Sequence, residues 1–581
     1  MSKLADGGSL GLGRMHHRDR RTCSVLAGWS ALAILATLSS CVHSSPPADL
    51  VVFGRTWTGD RTNPWAAAVA ARGDTILAVG ESLAVAGLVG PKTAVLSDPG
   101  GLVVPGFIDG HVHFLGGGHH LASLDLRSAT TPAEFIRRVR EFASRQRPGD
   151  WITGGDWDHE LWPGAPLPRR DWIDSVTPNN PVLLSRLDGH LYLANSAALK
   201  LAGLTRDYPP VPGGTIVKDP RTGEPTGALK DNAAGIVSAR IPPFSDAQQD
   251  QNLEQAMHAA VERGVTAVSD MSGGEIWNDL AAYRRADAAG RLLLRISLYP
   301  PLRHWRAVVD TVTRAGHGNA WLQIIGVKGF ADGSLGSRTA LFFEPYADDP
   351  KTSGLFVTPE DSLRAWIGSA DSAGLQVAVH AIGERANSLI LSIYDSVARA
   401  HGPRDRRFRV EHAQHLREQD IGRFGGQGVI ASMQAIHIVD DGSWAIKRLG
   451  PVRVHDSYVF RSLLDQGAHL QLGSDWPVAP LDPILGIAAA VTRRTRDGRN
   501  PGGWLPEERI TIEEALRSYT SENAFGVFAD ATRGRLRPGN RADLVILDQD
   551  LFKIPPEEIE NTRVLATVVG GKIVYQSLAG R

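Results

Sequence analysis

Six side chains of the kinds that bind metal ions stand at intervals along the chain: His111, His113, Lys328, His380, His412 and Asp475. Gly110-His111-Val112-His113 sets two imidazoles at i and i+2, which on an extended backbone point to one side and can reach a single ion. Alone, a His-x-His pair is as readily a polar surface feature. The pattern gains weight because Lys328, His380, His412 and Asp475 each lie at the end of a short apolar run of the kind that forms a buried strand. The chain has 2 cysteines against 19 histidines, and both cysteines, Cys23 and Cys41, precede its main body. Any metal site in that body must use nitrogen and oxygen ligands, a set that suits zinc best and admits manganese, iron or nickel. The chemistry such ligands serve is activation of water to hydroxide for attack on a carbonyl. Asp475 can then take the water proton and return it to the leaving group, or serve as a ligand only.

These residues converge only if the strands that carry them share one sheet. Apolar runs alternating with helical stretches predict βα units at Leu102–Ile108, Thr266–Met271, Leu294–Tyr299, Ile324–Phe330, Leu375–Val379, Phe408–Glu411, Val429–Met433 and His469–Leu472. Eight such strands close a (β/α)8 barrel, whose active site lies at the strands' C-terminal ends, where the six residues fall. Residues 119–245 are too long for a loop and are expected to form an inserted subdomain, with strands near Trp151–Thr153, Pro181–Leu184 and Gly213–Val217. A helix is expected over Asp250–Arg263, closed by Gly264. Short alternating strands near both chain ends, with turns at Gly73-Asp74 and Gly570-Gly571, are too few to stand alone and are expected to pair into one small β-sandwich. The expected organisation is a barrel over 104–533, flanked by sandwich segments 50–103 and 534–581.

The segments Val104-Pro105-Gly106-Phe107-Ile108-Asp109-Gly110-His111-Val112-His113, Val327-Lys328-Gly329-Phe330-Ala331-Asp332-Gly333-Ser334, His380-Ala381-Ile382-Gly383-Glu384, Val410-Glu411-His412-Ala413 and Gly473-Ser474-Asp475-Trp476-Pro477 resemble the motifs of the metal-dependent amidohydrolase superfamily. Within it they most resemble the branch that includes the N-substituted formamide deformylases. The likeness runs from about Ala48 to the C-terminus, with Glu384 departing from the usual Asp. It implies that His111, His113 and Asp475 hold one divalent metal and that His380 and His412 hold a second, bridged by a carbamate on Lys328. The alternative is an unmodified Lys328 paired with Asp332 in a mononuclear site. The resemblance also implies hydrolysis of carbon–nitrogen bonds other than peptide bonds in a small amide or N-substituted formamide. Esters, lactones or phosphotriesters, or an inactive exported binding lipoprotein, are the rival readings. His190 matches a family segment in the insert and is expected to contact substrate or to be structural. His119 and His120 are expected on a loop near the entrance, lining it or, more readily, solvated, and Trp157, Trp162 and Trp476 could wall an apolar pocket or, more usually for tryptophan, pack in a core.

The 62 basic and 63 acidic residues leave a net charge of -1, which argues against a nucleic-acid partner. The N-terminus has a basic stretch over Arg14–Arg21, an apolar run over Val25–Leu38 and then Leu38-Ser39-Ser40-Cys41. This order describes an export signal over 1–40, because the run is short for a membrane span. Leu-Ser-Ser-Cys resembles a bacterial lipobox, which implies cleavage before Cys41 and a lipid anchor on its thiol, with an ordinary signal peptide as the alternative. Residues 41–49, rich in Ser and Pro, read as a tether.

Overall fold

Parallel strands buried on both faces carry the centre of the fold. Phe107–Val112, Val265–Asp270 and Gln376–Ala381 are buried at every position, as strands are when helices cover them on one side and packed side chains on the other. The computed structural model describes residues 46–577 apart from residue 122 and residues 273–275. The expected export signal over residues 1–40, with Cys23, and residues 41–45 of the expected tether, with Cys41, lie outside the described residues. Ala48 and Asp49, expected in the tether, are tied down: Ala48 N donates to Leu88 O at 2.8 Å and Asp49 N to Ala71 O at 2.9 Å.

The central strands form two parallel arcs. One runs in the order Leu322–Ile324, Arg295–Leu298, Val265–Asp270, Phe107–Val112. The other runs Gly326–Phe330, Gln376–Ala381, Arg409–His412, Ile430–Met433, His469–Leu472. They touch through parallel bridges at both edges, Val112 with Trp476 and Pro301 with Lys328. Asp475 N donates to His111 O at 2.7 Å across the first contact, and Lys328 N to Pro300 O at 2.8 Å across the second.

The strand expected over Leu102–Ile108 is divided. Its first part ends the long strand Ala94–Pro105 of the terminal sheet, and the central strand begins at Phe107. The break falls at Gly106, where a Cβ would lie 2.3 Å from Thr266 Oγ1, so the chain can pass between the two sheets only without a side chain there. His111 consequently lies inside the strand and His113 just past its end. The run expected over Ile324–Phe330 is likewise split between the arcs at Ile325.

Both chain ends contribute to one seven-stranded sheet, in the order Lys572–Gln576, Val564–Val569, Leu544–Leu547, Ala94–Pro105, Leu50–Trp57, Trp65–Arg72, Thr75–Gly80. Gly570 and Gly571, at φ 58° and 72°, supply the left-handed turn that its last hairpin needs. The insert has a six-stranded sheet of its own, with Leu124–Asp125 and Gly214–Lys218 at its edges. Helix Asp246–Val261 comes after it in the chain, started by a reciprocal Ser245/Gln248 cap. Trp157 and Trp162 stack on each other inside the insert's core, and Trp476 is buried against Phe114. None of the three tryptophans lines the cavity at the strand ends: each fills a core, the commoner of the two roles open to them.

Candidate active site

The strand ends enclose a cavity of about 510 Å³, with His113, His190, Lys328, His380, His412 and Asp475 in its lining. His111 lies behind them, fully buried. Asp475 Oδ1 is 3.3 Å from His111 Nε2 and 3.3 Å from His113 Nε2, and these three residues form one group whose donor atoms could share an ion. The approach is possible because residue 473 is glycine: a Cβ there would lie 2.5 Å from His111 N.

The second expected pair is arranged differently. The His380 and His412 rings are 4.4 Å apart between centroids, but His380 Nε2 lies 3.0 Å from Gly333 O. The ligating atoms that cluster with His412 are those of Asp475 and His437. His437 is a site residue that sequence reasoning missed. It sits in the turn Ala435–His437 just after the strand Ile430–Met433, and its place beyond the end of a buried strand is the one signal in the sequence that marks it.

Lys328 Nζ is buried without a hydrogen-bond partner among the described residues and lies 4.5 Å from the Phe330 ring centroid. Pairing with Asp332 does not occur. Both Asp332 oxygens are occupied, accepting from Leu341 N, Ile382 N and Gly383 N at 2.7–3.0 Å. Burial pushes the Asp332 carboxyl up to about 7 against those bonds.

The electrostatics suit a cation. Burial, helped by the nearby Lys328 charge, pushes the His111 imidazole down to about 4. Burial also holds His380 and His412 well below the usual imidazole range and draws the Lys328 ammonium down to about 8. Burial alone would raise Asp475, but the surrounding histidines hold it well below the usual carboxylate range. Neutral imidazoles beside an ionised carboxylate are what a divalent ion requires of its ligands. His111 Nε2 and Asp475 Oδ1 are both buried with no hydrogen-bond partner among the described residues, a costly state unless something binds them.

A buried network supports this group. Glu411 Oε2 lies 2.6 Å from His111 Nδ1, and Arg409 donates to Glu411 Oε1 at 2.7 Å. Arg409 also donates to Gly110 O at 2.7 Å and to Ser432 Oγ at 2.9 Å. Gln434 Oε1 holds His412 Nδ1 at 2.7 Å. His412 and Asp475 adopt left-handed backbone, at φ 75° and 60°, the kind of local strain that concentrates at functional sites.

The insert forms the opposite wall. His190 Nδ1 lies 2.6 Å from Asp231 Oδ1, and the His190 ring is 5.1 Å from that of His380. Burial opposes protonation of His190, but the Asp231 contact outweighs it and raises the imidazole above its ordinary value. His119 and His120 also line the cavity. His120 Nε2 is 3.2 Å from Asp156, and burial draws His119 down to about 4.

A profile of the amidohydrolase family matches residues 99–575 of the chain. Protein LONG AFTER FAR-RED 3 of Arabidopsis thaliana is 42% identical over 561 residues, covering 94% of each chain. The N-substituted formamide deformylase of Arthrobacter pascens is 29% identical over 550 residues, covering 91% of this chain and 98% of that one. Among solved structures, an uncharacterized metal-dependent hydrolase from Pyrococcus horikoshii superposes with a TM-score of 0.71 at 28% identity, covering 87% of this chain and 99% of that one.

Proposed function

The chain belongs to the amidohydrolase family and is a metal-dependent hydrolase; from that premise we propose that it hydrolyses the carbon–nitrogen bond of a small amide, an N-substituted formamide being the favoured class. The observation that carries the reading is the convergence of His111, His113 and Asp475 on one point of the cavity with two of their buried ligating atoms unpartnered. The formamide class draws on the likeness to the Arthrobacter pascens deformylase.

His111, His113 and Asp475 would hold one divalent metal, zinc by preference. His412 would help hold a second, with His380, a Lys328 carbamate or His437 completing its set. A metal bound there supplies polarisation of the substrate carbonyl and a water acidic enough to attack at neutral pH. Glu411 fixes the His111 proton on Nδ1, so Nε2 presents its lone pair to the cavity. Asp475, kept ionised, accepts the proton of the attacking water at a carboxylate oxygen and passes it to the departing nitrogen. The C–O bond forms, the C–N bond breaks, and the products are an amine and a carboxylic acid, formate in the favoured case.

Incubating metal-loaded enzyme with a panel of formamides, simple amides, esters, lactones and phosphotriesters tests the class. Turnover of N-substituted formamides is the expected result, and turnover confined to esters or phosphotriesters overturns it. Purified protein is expected to carry one or two equivalents of divalent metal. At about 100 times its Kd, metal contributes about 2.7 kcal/mol to stability, so chelation is expected to lower the melting temperature as well as abolish turnover. Protein that contains no metal and ignores chelators refutes the metal-centred mechanism.

For Lys328 the carbamate reading is supported by its burial and lowered basicity, which leave more neutral amine to add carbon dioxide. Exchange with 13C-bicarbonate is expected to give a carbamate carbon resonance in the wild type and none in Lys328→Met; equal spectra sink the modification.

We read the two touching arcs as one (β/α)8 barrel, supported by the bridges Val112–Trp476 and Pro301–Lys328, and the strands of the two chain ends as one small β-sandwich, supported by the pairing of Leu544–Leu547 with Ala94–Pro105. Export with a lipid on Cys41 rests on the leader sequence alone. Mass analysis of the mature N-terminus tests it, and an intact or unlipidated N-terminus would refute it.

A further inference from the structure

The cavity reaches well past the metal-directed residues. Its volume of about 510 Å³ is far more than the few atoms of a formamide group fill, so much of its wall is left to face whatever the amide nitrogen carries. Ser185 and Tyr192 of the insert lie in that wall, with Asp156 and Asp188 near them. The insert's sheet sorts its side chains by the two-residue period of a strand. Leu184, Leu191, Leu193 and Ala228 fill the core on one face. Leu183, Ala194 and Leu229 belong to a second core, and the Tyr192 ring packs against it. Tyr192 stands opposite Ser185 on one neighbouring strand, Leu183–Arg186, and opposite Leu229 on the other, Pro225–Asp231, so the three share a face.

A tyrosine so placed packs its ring on apolar neighbours and keeps its polar tip for a wet site, here the cavity it lines. The hydroxyl makes no hydrogen bond among the described residues. Ser185 Oγ donates one long bond, 3.3 Å, to Gly154 O and keeps its accepting capacity. Burial, with the carboxylates of Asp188, Asp231 and Asp156, pushes the Tyr192 hydroxyl up to about 12, so it stays a phenol and a donor. Those carboxylates also disfavour an anion beside it. The position along the wall follows from the chain: the His190 ring stands 5.1 Å from that of His380 at the metal end, and Tyr192 comes two residues later. At strand spacing that step is about 6.6 Å, which sets Tyr192 beyond the reacting carbonyl rather than on it.

We propose that the Tyr192 hydroxyl donates to a neutral oxygen, of an alcohol, ether or carbonyl, carried on the N-substituent of the substrate, which makes Tyr192 a specificity-determining residue with Ser185 as a second, weaker contact. This rests on the amide reading of the site and deepens it: the substrate is an amide with an oxygen-bearing arm rather than a plain alkyl formamide. An alkyl arm would cover the phenol and leave its proton without an acceptor, whereas a carboxylate arm would meet the charges of Asp156, Asp188 and Asp231.

The test pairs N-alkylformamides with isosteric ethers, an oxygen replacing one methylene about two to four carbons from the nitrogen, and compares kcat/KM on zinc-loaded enzyme. The wild type is expected to favour the best-placed ether over its alkyl partner by about 3- to 10-fold, and to handle a carboxylate-ended analogue less well than either. Tyr192→Phe keeps the ring and is expected to bring the ether-to-alkyl ratio to within about twofold of unity, chiefly by slowing the ether, with metal content unchanged. Ser185→Ala is expected to lower the ratio less. A Tyr192 that merely packs would slow both substrates alike, so a ratio that Tyr192→Phe leaves unchanged, or a wild type that prefers the alkyl partner at every spacing, overturns the proposal. Calorimetric titration of zinc-loaded protein with the same pairs separates this failure from that of the amide reading. If no amide is turned over but ether-selective binding is present and is lost in Tyr192→Phe, the amide reading falls and the Tyr192 contact stands; if neither turnover nor selective binding is seen, both fall.

Discussion

Asp475→Asn is expected to lower kcat by about 10²- to 10⁴-fold while leaving bound metal largely in place. The substitution separates two roles that one carboxylate combines. Asparagine keeps the shape and one accepting oxygen, so it can still sit against His111 Nε2 and His113 Nε2, each 3.3 Å from Asp475 Oδ1. Its amide cannot take a proton from water and deliver it to a leaving nitrogen. The backbone favours the exchange too, because residue 475 has φ 60° and asparagine tolerates that region better than most residues. Single-turnover rates and metal content measured on the same preparation decide the matter. Turnover within about threefold of wild type would reduce Asp475 to a ligand, and loss of metal in parallel with rate would leave the proton role without support.

The sequence was most informative where chemistry coincided with backbone period. His111 and His113 could be grouped because residues two apart on an extended chain share a side, and His380, His412 and Asp475 because each closes an apolar run. The division of the first expected strand at Gly106 was not legible, since the runs on both sides are equally apolar and only the tertiary approach of Thr266 separates them. Trp157 and Trp162 illustrate a related limit: a large aromatic ring suits a pocket wall or, more usually, a core, and the insert's own core claimed both. His437 escaped notice because it lies on a short turn beyond a strand, where no periodicity marks it. Glu411 was visible as a letter beside His412, but its partner His111 is 300 positions away and reaches it only once the sheet has formed.

That distance makes Glu411 the clearest case of a residue whose effect depends on the assembled fold. Its carboxylate joins His111 Nδ1 to Arg409, and the side chains of all three are fully buried. Glu411→Ala would leave the Arg409 guanidinium enclosed without its counter-charge, a loss expected to cost about 3–5 kcal/mol. It would also free the His111 ring to turn, and losing such an outer support typically weakens metal binding by about 10- to 100-fold. Glu411→Gln, which can still accept from His111 but cannot neutralise Arg409, is expected to spare more of the metal affinity than of the stability. The pH dependence has a definite sign. Burial would raise the Glu411 carboxyl, but Arg409 first and His111 next outweigh it and bring the folded value down to about 2. The unfolded value is about 4.3, so the stabilisation is fully present above that pH and is lost as pH falls from there through the folded value. Urea unfolding of metal-free wild type and both variants at neutral pH, with competitive metal titration of the same proteins, checks each part. Glu411→Ala within about 1 kcal/mol of wild type and equal in metal affinity would mean that the Arg409–Glu411–His111 chain neither stabilises the core nor orients the ligand.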